Sequence, residues 1–235
     1  MTEPNRIGVA DLYRYEDLRA LMTRMTGDEK HASSATSTLD VLWVLYDRIL
    51  RVTPSTIDDP DRDRFLLSKG HGPMAYYAVL AATGFIPVEW LGTFGQLDSP
   101  LGYHPDRMLV PGVEISSGSL GHGLPIAVGV AVGQHTQRCR GRSYILVGDA
   151  ELDEGTNHEA IAYAGATGLQ GLTAVVVDNQ SVTHGWPGGI AAQFSVNGWS
   201  TATVDGRDHE ALEAALTTLL PGRPHVVVAV VEPKE

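Results

Sequence analysis

Cysteine is almost absent. Cys139 stands alone in 235 residues, so no disulfide can form within the chain, and the composition reads as that of a protein from a reducing cytoplasm. Positive charge is scarce as well. Lys and Arg number 17 against 28 Asp and Glu, a formal net charge of −11. That balance disfavours nucleic acid or an anionic membrane as partner, because both need clustered basic residues. It leaves an anionic cofactor open, since a local site can oppose the global charge. No apolar run reaches the ~20 residues of a membrane helix, and Met1 to Ala10 contain no apolar signal region. No GxGxxG or GxxxxGK[ST] occurs at a strand–helix junction, which removes the main support for an ordinary nucleotide-binding domain.

What is present is a globular pattern. Hydrophobic residues make up 43% and charged residues 19%, which separates the chain from disordered sequences. Its length suits one large domain, and no linker divides it, so residues 1–235 are read as a single domain. Helical periodicity is expected over Asp11 to Met25, Thr38 to Leu50, Gly72 to Thr83 and Leu120 to Gln134. Gly92 to Ser117 shows little periodicity, and loops of that length tend to be functional. From Ser143 the pattern is regular. Strands at Tyr144–Val147, Thr173–Val177, Thr201–Val204 and His225–Val231 alternate with helices at Thr156–Thr167, Gly188–Val196 and His209–Leu220. A further strand is expected at Phe65–Ser68. Strands alternating with helices predict an α/β fold, a mostly parallel sheet with helices on both faces.

The stretch from Tyr144 to Ser181 carries the chemistry. One strand ends at Gly148-Asp149-Ala150 and the next at Asp178-Asn179, 30 positions after Asp149. In a parallel sheet both ends lie at one edge, where ligands of open α/β sheets bind. Mg²⁺ takes oxygen ligands and commonly combines one or two carboxylates with phosphate oxygens of a ligand. Asp149 offers charge, Asn179 a neutral oxygen, and a backbone carbonyl near Ser181 a third ligand. The plainer alternative is that Asp149 caps the following helix and Asn179 sits in a turn.

The surrounding residues add a resemblance. GDAELDEGTNHEA followed by VVVDN resembles the thiamine diphosphate motif of transketolases, Gly-Asp-Gly, about thirty residues, then Asn. Three further segments agree in the family's order. They are Gly27 to Asp40 with His31, then Ser68-Lys69-Gly70-His71-Gly72, then His104-Pro105-Asp106 with Pro111 to Glu114 and Gly118-Ser119-Leu120-Gly121-His122-Gly123. The resemblance spans about residues 15 to 230. It implies the thiamine diphosphate-binding fold and transfer of a two-carbon ketol unit from a ketose to an aldose. It implies thiamine diphosphate held through Mg²⁺, or another divalent cation such as Ca²⁺, with Asp149, Asn179 and the Ser181 carbonyl as ligands. His71, Gly118, Ser119, Leu120, Gly148, Asp149, Ala150, Glu151 and Asn179 are then the expected cofactor-binding residues. His31, His71 and His104 would face the substrate; His122 and His184 are weaker candidates. Glu154 and Glu159 would lie at a subunit interface linking paired active sites. Beside the motif, the Glu151 and Asp153 carboxylates are expected to be solvated.

Two departures stand out. Ala150 replaces the family's second Gly, tolerable while φ stays negative. The domain that holds the aminopyrimidine has no counterpart here, so a separate subunit supplying it is expected, in an α2β2 hetero-oligomer acting on a sugar or sugar phosphate. Alternatives are a thiamine-dependent acyloin-forming or decarboxylating complex, and a non-catalytic scaffold or regulatory subunit.

Overall fold

The structure is a computed structural model and describes residues 13–26, 36–71 and 73–233. Five strands, β1 (Arg64–Leu67), β2 (Ser143–Gly148), β3 (Leu172–Asp178), β4 (Ser200–Asp205) and β5 (His225–Val230), form one sheet in the order β1-β2-β3-β5-β4. Every pairing is parallel. Leu67 lies opposite Leu146, Gly148 opposite Val177 and Asp178 opposite Val230, so the carboxyl ends of the strands gather at one edge.

Seven α-helices cover the sheet among the described residues: α1 (Tyr15–Met22), α2 (Leu39–Val44), α3 (Met74–Ala82), α4 (Gly123–Thr136), α5 (Gly155–Ala166), α6 (Gly189–Ser195) and α7 (His209–Thr217). The strands direct alternate side chains to two cores. Phe65, Leu67, Tyr144, Leu146, Val175, Val177 and Val227 pack with α1, α2, α3 and α7. Leu66, Ile145, Val147, Ala174, Val176, Val226 and Val228 pack with α4, α5 and α6. Burial on both faces explains why β2 and β3 are apolar at nearly every position, whereas the edge strand β4 exposes every second residue. Each fully buried Val or Leu contributes about 1.5–3 kcal/mol, so the interior strands β2 and β3 anchor the edge from which the site is built.

The helix boundaries differ from the sequence expectation for local reasons. α4 starts at Gly123 and not Leu120, because Gly118 and Gly121 have φ of +126° and +79°, which a right-handed helix cannot contain. The helix expected over Thr38–Leu50 passes after Val44 into a π turn, Leu45–Ile49. α7 stops at Thr217; Thr218 is extended, and Pro221 disfavours helical geometry at Leu220. α1 runs from Tyr15, and Asp11 lies outside the described residues. Among the described residues no helix is long and apolar enough to cross a membrane.

Candidate functional site

Three neighbouring strands, β1, β2 and β3, deliver three loops to the carboxyl edge of the sheet. After β2 the chain makes a 3-10 turn, Asp149–Asp153, whose first side chain is 1% exposed. Asp149 Oδ1 accepts from the Ala150 N–H (2.8 Å) and the Ser181 hydroxyl (2.5 Å), and Oδ2 accepts from the Ser181 N–H (2.6 Å). The loops after β2 and β3 are thereby joined, through the N–H and hydroxyl of Ser181. Asn179 is buried beside them, and its Oδ1 has no hydrogen-bond partner among the described residues. An orphaned buried acceptor costs about 1–3 kcal/mol unless something supplies a positive partner.

Glu151 is 3% exposed, so the expectation of a solvated carboxylate is wrong. Its Oε1 accepts from the Ser68 hydroxyl (2.7 Å) and the Gly121 N–H (3.5 Å), and Oε2 accepts from the Gly148 N–H (2.8 Å). Burial pushes its carboxyl above the usual Glu range, and these hydrogen bonds pull the other way. Asp153 is likewise engaged. Its carboxylate accepts the N–H groups of Thr183, His184 and Gly185 at 3.0, 3.0 and 3.3 Å, which holds it below the usual Asp range. Asp153 stays solvent-accessible while accepting these N–H groups, so only the expectation for Glu151 is overturned.

The histidines come from different loops. The His71 and His104 rings lie 5.7 Å apart, edge to face, and both are exposed at this edge. His104 Nδ1 lies 3.3 Å from the Gly70 carbonyl, which only accepts, so Nδ1 carries the proton and Nε2 is left as an acceptor. Gly118 is in the positive-φ region beneath this ring; a Cβ there would sit 2.6 Å from His104 Cδ2. Gly118, Ser119 and Leu120 are exposed, and the Ser119 hydroxyl pairs with His122 Nδ1 at 2.8 Å. Ala150 keeps a φ outside the positive region, so its methyl group brings no backbone strain. Glu154 is half-buried, with its Cβ 2.5 Å from where a Gly121 Cβ would be, while Glu159 is exposed on α5. His31 lies outside the described residues.

Sequence reasoning missed three participants, Ser68, Lys69 and Gly121. Ser68 and Gly121 meet Glu151. Lys69 runs alongside Gly148, where an added Cβ would meet Lys69 Cδ at 3.3 Å, and its ammonium donates to the Ser37 hydroxyl at 2.7 Å. The available signal was that Ser68 and Lys69 occupy the segment containing His71. A cavity of about 300 Å³ opens beside this edge between Leu152, Asp178, Trp186 and Gln193, and one of about 540 Å³ lies at the opposite edge, near Arg140 and Leu220. Neither is lined by Asp149, Asn179 or His104; the His104 ring is exposed, whereas Asp149 and Asn179 are buried.

The family model for the transketolase thiamine diphosphate binding domain matches residues 16–228. The chain belongs to the transketolase family. It is 56% identical over 220 residues to "Ferredoxin fas2" of Rhodococcoides fascians, covering 93% of this chain and 72% of that protein. It is 36% identical over 206 residues to one subunit of the apulose-4-phosphate transketolase of Actinobacillus succinogenes, covering 85% of this chain and 75% of that one. Among solved structures, a transketolase variant from Pichia stipitis superposes with a TM-score of 0.81 at 25% identity, over 95% of this chain and 36% of the larger one. The chain therefore spans about a third of that transketolase.

The transketolase domain is one that binds thiamine diphosphate, and the residues at the edge fit that group. Asn179 Oδ1 is a buried oxygen in want of a positive partner, next to the Asp149 carboxylate. Gly70 and Gly118 bring the two loops into close backbone approach, with no room for a side chain on either.

Proposed function

We propose that this chain, as one domain over residues 1–235, is the diphosphate-binding subunit of a two-chain transketolase that moves a two-carbon ketol unit from a ketose, as the sugar or its phosphate, to an aldose. The observation that carries the reading is the joined edge of Asp149, Asn179 and Ser181, with the orphaned Asn179 oxygen buried at its centre. Asp149 supplies charge, and Asn179 Oδ1 and the Ser181 carbonyl supply neutral oxygens, to Mg²⁺ or another divalent cation such as Ca²⁺. Phosphate oxygens of the cofactor and water would complete the shell. Bound thiamine diphosphate supplies the reactive carbon and the electron sink for carbon–carbon bond exchange.

The protein's part is orientation and proton handling. His104 Nε2, left as an acceptor by the bond from Nδ1 to Gly70, takes a proton from a substrate hydroxyl. His71, whose ring lies 5.7 Å from that of His104, serves the same face, and the family resemblance gives His31 a like role. Gly118, Ser119, Leu120, Gly148, Ala150 and Glu151 shape the cofactor's surroundings.

An open site calls for a second surface. A partner subunit is supported by the relative named as one subunit of a transketolase; in this reading the partner supplies the pyrimidine-binding domain in a cytoplasmic α2β2 assembly. Leu120, Ile126 and Tyr163 are 48%, 44% and 51% exposed, and an added Cβ on Gly129 or Gly133 would meet nothing. That apolar face of α4 and α5, with Glu154 and Glu159 at its end, is the surface on which subunits pair. The test is gentle purification of the chain from its native cell, followed by an assay with ketose phosphates, aldoses, thiamine diphosphate and Mg²⁺. A stoichiometric second polypeptide and ketol transfer support the reading; the chain recovered alone and inert in repeated preparations overturns it.

A second reading rests on the 56% identical relative named a ferredoxin. In this chain Cys139 alone cannot provide the four ligands of an iron–sulfur cluster. A thiamine-dependent acyloin-forming or decarboxylating complex in a specialised pathway accommodates a redox companion. Product formation from 2-oxo acids, with none from any ketose phosphate, would favour it.

A further inference from the structure

Glu151 is a buried carboxylate with no basic side chain in hydrogen-bond contact among the described residues. Such a group is costly to fold around, and a neutral residue would serve packing alone better. Its position explains its presence. Its two oxygens draw in three donors from three segments: the Ser68 hydroxyl after β1, the Gly148 N–H at the end of β2, and the Gly121 N–H before α4. Its own carbonyl accepts from Asn157 Nδ2 at 2.5 Å, which ties the 3-10 turn to α5. Each segment carries part of the candidate site. His71 follows Ser68 by three residues, Asp149 follows Gly148, and Gly118 to Leu120 precede Gly121. Ser68 packs in the space that a side chain on Gly123 would fill, so the loop after β1 and the start of α4 are in close contact there. A carboxylate is the one side chain here that accepts from all three donors at once; an amide brings two protons that meet donors.

We propose that Glu151 is a positioning residue for the cofactor site, acting through Ser68 to hold the loops after β1, after β2 and before α4 at one fixed spacing. The inference rests on the transketolase reading and deepens it. It assigns Glu151 a task that needs no contact with the cofactor, and it gives a role to Ser68, which the motif alone leaves without one.

The experiment measures thiamine diphosphate binding directly, by titration calorimetry with Mg²⁺ present, on the complex purified with its partner. Glu151→Gln, Ser68→Ala and the double variant are compared with the unaltered complex, and each is melted without cofactor. Each single substitution is expected to weaken binding about tenfold, the scale of supporting residues around a metal site. The double variant is expected to be no weaker than the worse single one, because both remove the same link. Melting without cofactor should stay within about 3 °C of the unaltered complex. Losses that multiply in the double variant would overturn the inference, and so would losses matched by a collapse in melting temperature. Should Glu151→Gln fail to fold, Ser68→Ala, which removes a single hydroxyl, decides the matter alone. Normal binding by the unaltered complex and by every variant would sink this inference and leave the transketolase reading intact. Failure of the unaltered complex to bind would overturn both.

Discussion

Gly70 offers the sharpest perturbation of the site. A Cβ added there would lie 2.7 Å from Gly118 N, 3.0 Å from Gly118 Cα and 3.2 Å from Ser117 C, all of them backbone atoms. Ordinary Cβ contacts begin at 3.4 Å, so the loops after β1 and before α4 must part by roughly 0.7 Å, the difference between 3.4 and 2.7 Å. Gly70 is not in the positive-φ region, so Gly70→Ala adds no backbone strain and isolates the separation. Overpacking of this kind costs about 1–3 kcal/mol, and in a domain of this size each kcal/mol lowers Tm by roughly 2–4 °C. Function should suffer more than stability. The Gly70 carbonyl receives His104 Nδ1, and Gly118 lies beneath the same ring, so the displacement moves His104 directly. A misplacement near 1 Å costs on the order of a hundredfold in rate. Gly70→Ala is therefore expected to lower kcat/KM by about 10- to 100-fold, measured as initial rates on the complex well below its melting temperature. Wild-type rates with an unchanged Tm would refute the close contact, and with it the rigidity attributed to this edge.

Other positions separate stability from function. Asn179→Ala removes a buried oxygen that has no hydrogen-bond partner among the described residues, so the cofactor-free Tm should stay within about 2 °C while Mg²⁺-dependent cofactor affinity falls at least tenfold, as read by calorimetry. His225 is buried on β5, and burial lowers its pKa below the usual 6.5. The unfolded chain then binds the proton first as pH falls, so stability present above about pH 6.5 is lost from there down toward the folded value. His225→Asn should flatten that acid limb in melting curves between about pH 5 and 7. Asp208 caps α7 by accepting the Glu210 and Ala211 N–H groups, and Asp208→Ala should cost about 1 kcal/mol in denaturant titrations with cofactor affinity unchanged.

The strands were legible because their signal is local. Val175, Val176 and Val177 in a row, bounded by Gly171 and Asp178, read as a buried strand from composition alone, and the structure extends it by one residue at each end. The start of α4 was not legible. Leu120 continues the apolar rhythm of the helix, and only the positive φ of Gly121, where Glu154 also leaves no room for a Cβ, shows that the helix begins later. The spacing of Asp149 and Asn179 across one strand–helix–strand unit implies a shared edge, and it is the resemblance of the surrounding motif that makes them candidate ligands.

Sheet order decides what spacing cannot. The strands β1 and β2 are adjacent although residues 68–142 separate them along the chain. That adjacency brings Ser68 to Glu151, while His104, from the long connection between the two strands, reaches the His71 loop at the Gly70 carbonyl. At the other side β5 slips between β3 and β4, which places the loop after β4 beside the tail after β5. There one guanidinium, Arg207, donates to the Thr36 carbonyl, to Asp40 and to Glu232. Asp40 also meets His209 Nε2 at 2.9 Å. No motif pairs these residues, and no periodicity does. Residues that chelate or titrate in a family-like pattern announce themselves along the chain; residues that hold such patterns in place are chosen by which strands lie side by side. Glu151 belongs to the second kind even though it stands inside the motif, and this is why its acidity, read along the chain, pointed outward to water when its task lies inward.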